Sequence, residues 1–65
     1  MIGSLIKAAR IQRGLTLANV GNALGVTRQY VYFWEAGRRN PGPKHLAKLA
    51  EVLGLDVRDL LPRRT

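Results

Sequence analysis

The sequence predicts an all-α fold, a compact domain of five short helices, and three observations carry that prediction. Glycines able to end helices recur at Gly14, Gly25, Gly37 and Gly54. Two of them open the same signal, Gly14-Leu15-Thr16 and Gly25-Val26-Thr27, in which a stop is followed by an N-cap threonine. Between the stops, apolar residues recur at three- and four-residue spacing, and no segment alternates with the two-residue period of a strand. The 65 residues amount to one domain, 1–65. A chain of this size buries only about 60% of its unfolded surface. With no cysteine, one histidine and four acids it offers neither a disulfide nor a metal-ligand spacing. Its core must come from helix packing, with no cofactor and no metal.

The first helix is expected from Gly3 or Ser4 to Arg13, with Ile2, Ile6 and Ala9 as its inner stripe. The second runs from Leu17 to Leu24 behind Thr16, and the third from Arg28 to Ala36 behind Thr27. In both, an aliphatic residue before the cap pairs with one four positions into the helix, Leu15 with Val20 and Val26 with Val31, the spacing of a hydrophobic staple. Arg38-Arg39-Asn40-Pro41-Gly42 is irregular, because Pro41 drives Asn40 out of the helical region. Gly42 then serves as N-cap and Pro43 fits the first helical position. The fourth helix reaches Leu53, with Leu46, Leu49, Ala50 and Leu53 inward, and Gly54 ends it. Asp56 caps a last short helix, with Asp59 at the capping-box position and Leu55 and Leu60 as its staple. Residues 62–65 form a frayed tail.

A short helix, a glycine-containing turn and a second helix make up a helix-turn-helix unit, here about 17–36. The net charge of +7 is unevenly spread. Residues 1–34 hold Lys7, Arg10, Arg13 and Arg28 and no acid, and Arg38, Arg39, Lys44 and Lys48 follow, whereas Glu51, Asp56 and Asp59 lie late in the chain. One positive face implies a polyanionic partner, with double-stranded DNA ahead of a membrane surface. No apolar run approaches the roughly 20 residues of a membrane span. Lys7 lies behind apolar residues, so no signal peptide is expected and the setting is cytoplasmic and nucleoid-associated.

From Ile6 to Leu61 the chain resembles the Cro/repressor (XRE-type) helix-turn-helix family of phage repressors and related regulators. The matching residues are Arg10, Gly14-Leu15-Thr16, Leu24-Gly25-Val26-Thr27, Trp34-Glu35-Ala36-Gly37, Asn40-Pro41, the Leu46–Leu53 helix and Asp56 to Leu61. Two positions depart from the family pattern. Leu17 stands where a phosphate-contacting glutamine is frequent, and Gly21 where alanine is usual. The resemblance implies a partly buried ion pair between Arg10 and Glu35, with Arg10 also able to face a phosphate. Two independent surface charges are the plain alternative.

In such a unit the third helix reads the major groove. Val31 and Trp34 point inward, and Arg28, Gln29, Tyr32 and Phe33 point outward as the base-contacting candidates. Arg28 can donate two hydrogen bonds to guanine, Gln29 can pair with adenine, and Tyr32 and Phe33 can meet thymine methyl groups. Phosphate contacts fall to Thr16, Leu17, Thr27, Tyr30, Arg38, Arg39, Asn40 and Lys44, through helix-end N–H groups, hydroxyls and cations. A solvated loop is the plain alternative for Arg38, Arg39 and Lys44. Lys48, Arg58, Arg63 and Arg64 read as solubilising charge and His45 as a surface residue. No nucleophile–base pair or paired carboxylates are present, so an enzyme is excluded, and no small-molecule ligand is implied. Sequence-specific DNA binding by a transcriptional repressor or regulator leads. The alternative is a protein-interaction module of antitoxin or coactivator type, using Tyr30, Tyr32 and Phe33. The aromatic outer face is also compatible with an engineered stand-alone domain. A monomer in solution that pairs on DNA is expected, with Leu60-Leu61-Pro62 as a small apolar contact.

Overall fold

A computed structural model describes residues 2–60 of the chain. Among them the elements are α1 (Ile2–Gln12), α2 (Leu17–Leu24), α3 (Arg28–Glu35), α4 (Pro43–Leu53) and α5 (Val57–Leu60), without a strand. Three bounds differ from expectation by about one residue. α1 begins at Ile2, and it stops at Gln12 because the Arg13 N–H is shared between the Ala9 and Arg10 carbonyls, each at 3.2 Å, as the chain tightens into the Gly14 turn. α3 ends at Glu35, with Ala36 as its C-cap.

One device closes the first four helices. The residue after the glycine sends its N–H back to a carbonyl five positions earlier: Leu15 to Arg10 (3.0 Å), Val26 to Gly21 (2.9 Å), Arg38 to Phe33 (2.9 Å) and Leu55 to Ala50 (2.8 Å). This is the Schellman arrangement, and it needs a left-handed residue at the turn. Gly14 and Gly25 supply it at φ 70° and 74°. The stop is followed directly by a start. The Thr16 and Thr27 hydroxyls accept hydrogen bonds from the Asn19 and Tyr30 N–H groups, and the Asn19 side chain accepts in return from the Thr16 N–H. Gly54-Leu55-Asp56 is a third copy of the stop–start signal, with the Asp56 carboxylate accepting from the Arg58 N–H at 2.9 Å.

The helices close over Ile6 and Ala9 of α1, Val20 of α2, Val31 and Trp34 of α3, Leu49, Ala50 and Leu53 of α4, and Leu60 of α5. Val20, Val31 and Leu60 are the inner partners of the three staples, and Leu15, Val26 and Leu55 pack against the core beside them. Leu60 is therefore not available for the apolar contact between copies expected of it, because the α5 staple draws it inside. Leu61, Pro62 and the 62–65 tail, with Arg63 and Arg64, lie outside the described residues.

Three features fix α3. At its C-terminal end the Arg10 guanidinium donates from Nε to Glu35 Oε2 (2.6 Å), from Nη2 to Glu35 Oε1 (3.1 Å) and from Nη1 to the Leu15 carbonyl (2.9 Å). The two side chains are only 12% and 5% exposed. The bidentate bond to Glu35 raises the Arg10 pKa, so this cation stays charged throughout the working range. At the same end α1 crosses α3 so closely that a Cβ on Gly3 would lie 2.6 Å from the Trp34 and Glu35 carbonyl oxygens. At the other end a Cβ on Gly21 would meet the Val26 carbonyl at 2.7 Å and the Arg28 nitrogen at 3.2 Å.

Two outcomes follow for stability. Gly3→Ala should lower it by about 1 kcal/mol or more in thermal or urea unfolding, because overlap with fixed backbone outweighs the gain in helix propensity. Glu35→Ala should cost about 3–5 kcal/mol by stranding the Arg10 charge, whereas the double change Arg10→Met with Glu35→Leu should recover most of that loss.

Candidate nucleic-acid interface

The Thr27 cap sets the first turn of α3, and the 3.6-residue period then divides the helix into two faces. Val31 and Trp34 are buried, Trp34 at 2% exposure, while Arg28, Gln29, Tyr30 and Tyr32 face outward. The two tyrosines are 43% and 49% exposed, large values for aromatic residues in so small a domain. Phe33 is half-buried, with its ring 6.1 Å from that of Tyr32. Of the four base-contacting candidates, three are therefore exposed and one is half-buried.

The phosphate candidates fall at two helix starts and one loop. The Thr16 and Thr27 hydroxyl oxygens accept helical N–H groups, which leaves their hydroxyl protons free to donate outward. The Leu17 and Arg28 N–H groups occupy first-turn positions, where the helix supplies no acceptor. The Leu17 side chain packs against the core and presents no polar group there. None of the helices α1 to α4 has an acid in its first turn. The positive ends of their dipoles are thus left uncompensated by the chain itself.

The Gly37–Gly42 loop carries exposed Arg38, Arg39 and Asn40 and leads into α4 over the buried Pro41. Gly42, the N-cap of α4, makes no side-chain capping bond. Between α3 and the start of α4 lies a groove of about 420 Å³. Tyr30 and Trp34 line it from α3, Arg39, Asn40 and Gly42 from the loop, and Lys44 and His45 from α4. His45 is not the plain surface residue expected of it. It is half-buried, and its ring lies 5.6 Å from that of Trp34 at an interplanar angle of 44°. The Tyr30 ring also lies near Trp34, at 6.2 Å. Nothing local in the sequence marked the contact of His45 with Trp34, because the two lie on different helices.

Arg10 sits apart from this surface group. Three of its five N–H groups are spent on Glu35 and the Leu15 carbonyl, which leaves two for any outside acceptor. Lys48 pairs with Glu51 at 3.2 Å and Arg58 lies 3.9 Å from Asp56, all on exposed side chains. Among the described residues no group of three His, Cys, Asp or Glu could hold a metal ion, and no helix is long and apolar enough to cross a membrane.

Known proteins share this sequence and shape. A family model described as Helix-turn-helix matches residues 6–60. The SPbeta prophage-derived HTH-type transcriptional regulator YonR of Bacillus subtilis is 34% identical over 61 residues, which are 94% of this chain and 56% of that protein. The chain thus spans little more than half of that relative. Among solved structures, the P22 c2 repressor in complex with a synthetic operator superposes with a TM-score of 0.89 at 26% identity, over 94% of this chain and 92% of the repressor chain. SinR, a master regulator of biofilm formation, in complex with DNA gives 0.83 at 33% identity over 95% and 100%. The five-helix architecture, the capped pair α2–α3 and the match over residues 6–60 lead to one conclusion: the chain belongs to the helix-turn-helix family.

Proposed function

We propose that this chain binds double-stranded DNA sequence-specifically and represses or otherwise regulates transcription by occupying an operator, with α3 in the major groove. The observation that carries this reading is the outer face of α3. It begins at a capped helix start, presents Arg28, Gln29 and Tyr32 to solvent, and is held from behind by buried Val31 and Trp34. Arg28 and Gln29 occupy the first two helical positions, the end of a recognition helix that comes nearest to base edges. Arg28 reads guanine and Gln29 reads adenine, while Tyr32 and the margin of Phe33 meet thymine methyl groups. The Leu17 and Arg28 N–H groups, with the Thr16 and Thr27 hydroxyls, grip phosphates on one side. Tyr30, Arg38, Arg39, Asn40 and Lys44 grip them on the other. The two remaining N–H groups of Arg10 add at most a secondary phosphate contact, and its main role is to brace α3.

The same reading assigns the protein to the cytoplasm and its nucleoid. It makes the chain a monomer in solution that pairs on half-sites about one helical turn apart. The exposed Tyr30 and Tyr32 are the one feature that favours a protein partner instead.

Selection of binding sites from random duplexes, repeated at two salt concentrations, tests the proposal. A single preferred motif should emerge, and affinity should fall with salt at about −0.9 in the log–log slope per neutralised phosphate. Retention of every sequence alike, or no retention at all, would leave the tyrosine surface and a protein partner as the better reading. Arg28→Ala should cost about 1–3 kcal/mol on the selected site and flatten preference at one base pair. Arg39→Ala should weaken all duplexes about equally and reduce the salt slope by about 1.

A further inference from the structure

The groove between α3 and α4 contains the only histidine of the chain. Its ring rests against Trp34, and neither of its nitrogens has a hydrogen-bond partner among the described residues. Both are therefore available to a ligand in the groove. The other charged or titratable groups lining the groove are Tyr30 from α3, Arg39 from the loop and Lys44 from α4 itself. No residue of α1, α2 or α5 lines it, and no acid does. His45 is also in the first turn of α4, at the positive end of that helix. Two cations and a helix N-terminus thus surround an imidazole with no negative charge among the groove-lining residues to balance them.

We propose that His45 is a further DNA-phosphate contact, and that it takes up a proton from solvent as the duplex enters the groove. The inference rests on the DNA-binding reading above. A phosphate beside Arg39 and Lys44 supplies the missing negative charge, and the imidazole then serves as a third cationic donor. Histidine is the side chain that makes this change near neutral pH. Linkage is reciprocal, so a proton gained on binding means that acid strengthens binding. The Trp34 ring holds the imidazole in place in either charge state.

The test measures affinity of the full chain for the best duplex recovered by site selection, at pH 8 and pH 6 and at two salt concentrations. The native chain should bind about threefold to tenfold more tightly at pH 6, below the limit of tenfold per pH unit for one linked proton. Its salt slope should steepen by up to about 0.9. His45→Phe keeps a ring against Trp34 and removes both nitrogens, so this dependence should disappear. His45→Gln provides the same comparison with a smaller side chain. Proton NMR of the single imidazole, followed through pH with and without duplex, reads the proton directly and should show it retained to higher pH in the complex. Equal pH dependence in the native chain and both variants would overturn the proposal, as would an imidazole whose titration ignores DNA, and the DNA-binding reading would stand in both cases. A chain that binds no duplex at either pH would overturn both.

Discussion

The orientation of α3's outer face depends on how the helix is held at its far end, where a single guanidinium from α1 grips its last residue, Glu35. Arg10 ties α1 to Glu35 by two hydrogen bonds and to the Leu15 carbonyl by a third. It therefore joins the end of α3 to the turn that launches α2. A buried pair of this kind contributes little net stability compared with apolar packing of the same volume. Its value lies in directionality: a planar fork fits a carboxylate in few ways, whereas a greasy contact can slide. The close crossing of α1 over the last carbonyls of α3, which the missing Cβ of Gly3 allows, acts in the same sense.

The near end of α3 is fixed by different means. Val26 ends α2 through its N–H, packs against the core, and precedes the Thr27 cap of α3. Leu15 plays the same double part between α1 and α2, and Leu55 between α4 and α5. Using one aliphatic residue both to finish one helix and to staple the next keeps each turn to about three residues. In a chain of 65 residues this leaves most positions in helices, where they can contribute to the core or to the surface. Gly21 completes the arrangement by letting the Val26 carbonyl and the Arg28 nitrogen sit where a side chain would otherwise be.

Electrostatics then distinguishes the two ends of the molecule. α5 carries Asp59 in its first turn and satisfies its own helix start, whereas α1 to α4 carry no acid there. The starts of α2, α3 and α4 leave N–H groups and dipole ends for an outside anion, and Arg39 and Lys44 stand beside one of them. The cost of leaving these ends uncompensated falls on the free protein and is relieved when a polyanion binds.

By itself the sequence determined the five helices, their caps and staples, and the division of α3 into an inner and an outer face. All of these obey rules that act within four or five residues, so Gly14-Leu15-Thr16 or Val31 with Trp34 can be read directly from the chain. The resemblance supplied the pairing of Arg10 with Glu35, but not the third bond to the Leu15 carbonyl. The tertiary structure alone decided that Gly3 is a crossing point and that His45 lies against Trp34 in a cationic groove. Those facts join different elements, and helix periodicity carries no information about which faces of separate helices meet. Only the packing of the helices around Ile6, Val31 and Leu49 sets those distances.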